Sequence, residues 1–159
     1  MLSWFTTTTL GKLISTFFIS MVPVVELRGG LPYGIMLGLN YWSALATAVL
    51  GNMIPVPFIV VYIERVFAFL RGRYRKLDDF ISSLEAKAHL KGERVERLGP
   101  LALLTFVAIP LPGTGAWTGA LVAALLNMPL KKAVPAILLG VLIAAGIMTV
   151  LTFGAIRVF

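Results

Sequence analysis

Apolar residues run along this chain in blocks too long for a soluble core and poorly matched to simple membrane spans. From Leu13 to Ile63 there are 51 residues whose only charges are Glu26 and Arg28. A helix needs about 20 residues to cross the apolar layer, so three spans with their turns do not fit. Two spans would leave Glu26 and Arg28 in or near that layer beside Pro23, Gly29, Gly30 and Pro32, where helix geometry is hard to hold. The pattern predicts a hairpin that enters the membrane, turns between Pro23 and Pro32 and leaves on the same side. One full span from about Tyr41 to Phe69 then follows. Irregular backbone at such depth is tolerated only where protein or a water-filled cavity covers it.

The second half repeats the pattern. Leu98 to Leu130 gives 33 uncharged residues with Pro110, Pro112, Gly113 and Thr114 near the centre, and Ala133 to Ile156 gives 24 more. A second hairpin and a second span are predicted, the latter long enough to tilt. Pro23 precedes Gly51 by 28 positions and Pro110 precedes Gly140 by 30, which reads as an internal repeat. In the polar segment between them, Leu77, Phe80, Ile81, Leu84 and Ala88 share one helical face. That segment is expected to be an amphipathic helix along the inner membrane surface, or else an ordinary solvated connection. The expected organisation is a single membrane domain over 1–159: a first repeat 1–69, a linker 70–97 and a second repeat 98–159. Met1 to Thr9, with Trp4 and Phe5, reads as an interfacial anchor.

Composition agrees. With 58% hydrophobic and 13% charged residues and a mean hydropathy of +0.93, the chain is too apolar for a soluble domain. It has no cysteine and one histidine, which removes disulfides and thiolate or multi-histidine metal sites; no metal or cofactor is expected. The net charge of +7 sits at membrane boundaries and not among stacking aromatics, so lipids are the expected partners and nucleic acid is not. Lys12 followed by Leu13 to Val25 looks like a leader, but no small-x-small cleavage site follows, and the segment is expected to be retained. The segment 71–97 carries eight Lys/Arg and Lys131-Lys132 follow the second hairpin. The positive-inside rule then makes the linker cytoplasmic and puts both termini outside. The first hairpin enters from outside and the second from the cytoplasm. The expected fold is thus an all-α integral membrane protein, an inverted repeat of re-entrant helical hairpin plus transmembrane helix.

Ionisable groups at membrane depth cost several kcal/mol and are seldom kept without use, which singles out Glu26 and Arg28. New helices are expected to begin after Gly29-Gly30, with Pro32 in the first turn, and after Pro112-Gly113, with Thr114 as N-cap. Both N-termini would favour an anion, and Arg28 adds a full charge suited to phosphate or carboxylate. Glu26, a carboxyl at low dielectric, is the candidate proton carrier. Asn52, Thr114, Gly115, Trp117 and Thr118 are the further candidates for lining a substrate cavity. The alternative for Glu26 and Arg28 is a structural tie between the hairpin tip and the other half; for Asn52 it is a polar bond across packed helices.

Three segments carry a family resemblance: Val22-Pro23-Val24-Val25-Glu26-Leu27-Arg28-Gly29-Gly30-Leu31-Pro32, then Leu50-Gly51-Asn52, then Ala108 through Gly119 with Pro110, Pro112, Gly113, Thr114, Gly115, Trp117 and Thr118. They resemble the bacterial and archaeal small multidrug export protein family, itself similar to the DedA, or VTT, membrane protein superfamily. The resemblance implies paired re-entrant hairpins in inverted orientation, the plasma membrane of a prokaryote, and movement of lipids such as polyprenyl phosphates. It implies an acid and arginines at the hairpins; Glu26 and Arg28 match, whereas the second tip carries no charge. The leading functional expectation is a proton-coupled carrier or flippase for an amphipathic anion such as a lipid phosphate. Alternatives are a proton-coupled exporter of small cationic drugs and a non-transporting membrane scaffold. No nucleophile–base pair, metal cluster or phosphate loop suggests an enzyme. A chain of this size is expected to use a second copy to enclose a cavity, as a homodimer.

Overall fold

The computed structural model describes residues 4–71, 92–111 and 113–158. They form eight helices: α1 (Trp4–Thr7), α2 (Thr9–Met21), α3 (Glu26–Met36), α4 (Tyr41–Met53), α5 (Pro55–Arg71), α6 (Gly92–Ala108), α7 (Ala116–Leu125) and α8 (Leu130–Val158). No strand occurs among the described residues. Most of the linker, including the expected amphipathic face from Leu77 to Ala88, lies outside them, as does Pro112.

Two stretches are long and apolar enough to cross a membrane, Tyr41–Ile63 and Leu130–Gly154. The first joins α4 to α5 through a break at Ile54. There Pro55 and Pro57 have no N–H to offer the carbonyls of Gly51 and Met53, which loosens the helix at that level. By contrast α3 has 11 residues and α7 has 10, lengths of about 15–16 Å against an apolar layer of about 30 Å.

The packing is that of a membrane protein. The interior is built from small side chains, with Ala44, Ala48, Ala116, Ala120, Ala123 and Ala133 all fully buried, while Phe18, Trp42, Leu50, Phe58, Leu101 and Val150 are at least 60% exposed. Small residues let helices approach closely where lipid is as apolar as the core. Buried hydroxyls are satisfied within their own helices: Thr16 donates to the Lys12 carbonyl and Ser20 to that of Thr16, each at 2.7 Å.

Both halves pack alike. Helix α2 lies against α3 and α4, and α6 lies against α7 and α8. Gly30 and Gly119, Gly38 and Asn127, and Gly51 and Gly140 are each separated by 89 positions (119 − 30, 127 − 38, 140 − 51). Their structural roles match. Gly30 lets α3 meet Ser20 of α2, and Gly119 lets α7 meet Val107 of α6; Gly51 faces the Phe17 carbonyl and Gly140 the Leu104 carbonyl. Gly38 and Asn127 are left-handed, with φ of 82° and 50°, and end α3 and α7 with the same pair of bonds. The Leu39 and Gly38 N–H groups donate to the Gly34 and Ile35 carbonyls, and those of Met128 and Asn127 to the Ala123 and Ala124 carbonyls. At the breaks before α3 and α7, Val24 and Gly113 (113 − 24) are left-handed too, with φ of 75° and 83°. This register aligns Pro23 with Pro112, not with Pro110 as the motif suggested, and both then precede a helix glycine by 28 positions.

One expectation about α3 is corrected. The helix begins at Glu26, so Gly29, Gly30 and Pro32 lie inside it and only Pro23 of that set lies in the break. The glycines serve close packing: a Cβ on Gly30 would collide with the Ser20 hydroxyl and one on Gly29 with the Val25 side chain.

Gly51→Ala is expected to destabilise the protein by about 1–3 kcal/mol through overpacking. Gly146→Ala, at a helical position with nothing within 4 Å, is expected to be neutral or to stabilise by up to about 1 kcal/mol. Thermal unfolding in detergent compares the two, and equal effects would contradict the packing described.

Candidate functional site

The two breaks meet. Helix α7 starts after Gly115, whose backbone is extended and which gives no side-chain cap, so the first N–H groups of α7 need a partner from elsewhere. Glu26 supplies it. Its Oε2 accepts from the Ala116 N–H at 3.2 Å and its Oε1 from the Trp117 N–H at 3.1 Å. A carboxylate at a helix N-terminus is favoured by the unpaired donors and by the helix dipole. The expected N-cap, Thr114, is not the cap. Its hydroxyl lies within the break, 2.6 Å from the Ile109 carbonyl and 2.9 Å from that of Leu111.

Arg28 takes the opposite pole. Its guanidinium donates to the carbonyls of Leu111, Ile109 (3.4 Å) and Thr114 (2.7 Å), and to the Thr114 hydroxyl at 3.0 Å. These oxygens follow the C-terminus of α6, where carbonyls lack helical donors and the dipole is negative. The acid therefore sits on the positive end of α7 and the base on the negative end of α6. Being two apart at the start of α3, the side chains diverge, which is what lets each reach its own helix end. Trp117 adds a return contact, its indole N–H donating to the Met21 carbonyl at 3.0 Å.

Space is tight here. Glu26 is 5% exposed, and a Cβ on Gly115 would overlap its carboxylate. The backbone of Glu26 is itself left-handed, with φ of 49°, an uncommon geometry for a residue with a side chain; such strain is held only where surrounding contacts fix it. A small cavity is lined by Glu26, Arg28, Asn52 and Gly115 with apolar residues of α3, α6, α7 and α8.

Among the sequence candidates, Arg28, Asn52 and Gly115 thus line one cavity with Glu26. Thr114 and Trp117 join the same contact through hydrogen bonds, and Thr118 is on α7 outside the lining. Pro110 and Gly113 lie in the second break. Sequence reasoning missed the carbonyls of Met21, Ile109 and Leu111, which leave no trace in side-chain identity, and Val141 and Ala144 of α8, which look like ordinary span residues.

Double-mutant analysis checks this geometry. Gly115→Ala alone is expected to destabilise by about 2 kcal/mol or more, through overlap with the carboxylate. In the Glu26→Ala background the same change should cost less, with a coupling of about 1 kcal/mol or more, because the colliding group is gone. Additive effects in thermal unfolding would place the carboxylate elsewhere.

In comparison with known proteins, a family model described as "putative small multi-drug export protein" matches residues 26–147. No curated protein and no solved structure matches the chain.

Proposed function

The chain belongs to the small multi-drug export protein family, and from that premise we propose that it is a proton-coupled membrane carrier for an amphipathic anion such as a lipid phosphate. The observation that carries this reading is the position of the Glu26 carboxylate on the N–H groups of Ala116 and Trp117. A helix N-terminus with a guanidinium close by is a seat for an anionic head group, and here the protein's own carboxylate occupies it. Protonation of Glu26 weakens that hold and frees the seat; deprotonation returns the carboxylate and expels the bound anion. Loading thus accompanies proton uptake on one side and release accompanies proton loss on the other.

The proposed frame is an inverted repeat. Helices α2/α3 and α6/α7 act as re-entrant hairpins from opposite sides, and Tyr41–Ile63 and Leu130–Gly154 cross fully. The 89-residue register supports the repeat. Opposite entry is supported by the course of the two spans. Tyr41, at the base of the first helix pair, bonds Thr149 near the far end of α8 at 3.0 Å, while α5 packs on α7 of the second pair. The positive charge in 71–97 supports a cytoplasmic linker and outside termini, in the plasma membrane of a prokaryote.

Export of small cationic drugs is the second reading, favoured by the family description; there Glu26 would pair with the substrate, and Arg28 beside it would oppose binding.

In proteoliposomes with a pH gradient, the wild-type protein is expected to move a labelled polyprenyl phosphate. Glu26→Gln and Arg28→Ala, at matched amounts of folded protein, should each slow it by roughly tenfold or more, the scale of a lost charged hydrogen bond. Failure of the wild type removes the lipid-phosphate reading, and faster uptake of a cationic dye by Arg28→Ala would favour drug export. Orientation has its own test, since the chain has no cysteine. Single cysteines at Asn40 and Pro129, equivalent and exposed positions of the two halves, should react with an impermeant maleimide from opposite sides. Labelling from one side would rule out the inverted arrangement.

A further inference from the structure

Asn52 lies in the last turn of α4, is 2% exposed, and its Oδ1 is buried with no hydrogen-bond partner in the protein. An unsatisfied buried acceptor costs about 1–3 kcal/mol, so such an oxygen normally faces a ligand or an ordered water. Asn52 borders the cavity that also takes in Glu26, Arg28, Gly115 and Ala144. That space has room for about one water molecule. Among its polar lining residues, Asn52 brings an unpartnered acceptor oxygen and Glu26 a carboxylate, which also accepts. The guanidinium of Arg28 is directed to the carbonyls of Leu111 and Thr114 and to the Thr114 hydroxyl. A neutral donor of two hydrogen bonds fits between two acceptors, whereas a metal cation would stand beside Arg28 and the positive end of α7.

We propose that Asn52 and Glu26 bind a single water molecule between the two helix breaks, and that this water is the group through which Glu26 gains and loses its proton. Asn52 is a positioning residue. It holds the water by accepting one of its hydrogens, which turns the other toward the carboxylate. As this water takes up a proton from bulk water on its open side, it gives the hydrogen facing the carboxylate to a Glu26 oxygen and remains in place as neutral water. On release the carboxyl O–H gives its proton back to that water as the water passes another of its protons to bulk water, so the site again holds neutral water. Glu26 and Arg28 are the ionisable residues lining the space; α4, α6, α7 and α8 contribute Asn52, Val107, Gly115, Ala116, Val141 and Ala144 to it. The inference rests on the reading of Glu26 as proton carrier, and it adds a route by which a carboxyl with 5% exposure reaches solvent protons.

Infrared spectroscopy of the protein in lipid vesicles tests it without a transport substrate. The carboxyl band of protonated Glu26 is assigned by its loss in Glu26→Gln, and its shift on transfer to D2O is timed. Asn52→Leu, which removes the acceptor, should slow that exchange by about tenfold or more, as loss of the water's anchoring bond implies. Ala144→Leu fills the cavity from α8 and leaves the amide in place; it should slow exchange as well, and it decides the matter if the Asn52 variant does not fold. Asn52→Ser keeps an acceptor oxygen and should exchange near the wild-type rate. Wild-type exchange in folded Asn52→Leu or Ala144→Leu overturns the water site while leaving Glu26 as carrier. No Glu26 carboxyl band at any accessible pH overturns the carrier role, and this inference with it.

Discussion

Everything at the centre of this protein depends on helix ends that cannot be left bare. Helices α6 and α7 are separated by a break between Ala108 and Ala116, which leaves carbonyls on one side and N–H groups on the other without helical partners. Backbone groups buried without a partner are costly. Glu26 and Arg28 meet both demands from the opposite half of the chain, the carboxylate on Ala116 and Trp117 and the guanidinium on Leu111 and Thr114. One charge without the other would leave a buried ion beside an unbalanced dipole, so the two residues act as one device.

The same device explains the asymmetry between halves that otherwise match. In the 89-residue register Glu26 corresponds to Gly115 (115 − 26), and these two residues face each other so closely that a Cβ on Gly115 would overlap the Glu26 carboxylate. Two equivalent positions that meet at one point cannot both carry a long side chain. One half therefore provides the charges and the other provides backbone. The second break carries no charge of its own, and Arg28 of the first half fills its carbonyl cluster.

A clasp of this kind has a functional consequence in the proposed carrier. The joint between halves and the proposed anion seat are the same atoms, so occupancy of the seat and closure of the joint compete. Small side chains throughout the interior leave the helices able to slide with little interlocking, and the prolines after Asn52 weaken the span at the height of the clasp.

The sequence alone determined the membrane class, the two spanning stretches and the breaks near Pro23 and Pro110, and it singled out Glu26 and Arg28, because length, hydropathy and the cost of buried charge act through residue identity. Its reading of Gly29, Gly30 and Pro32 as the first turn was displaced, since glycine serves tight packing as well as turning, and only the neighbour, Ser20, distinguishes the two. The tertiary structure alone decided what Glu26 and Arg28 touch. Their partners are backbone N–H and C=O groups about ninety positions away, which every residue possesses and no sequence pattern marks. It also decided that Gly115, not Thr114, is the N-cap position of α7, because the capping side chain comes from another helix. Asn52 was visible as a polar residue in a span, but that it lines one cavity with Glu26 is set by how α4 and α3 pack.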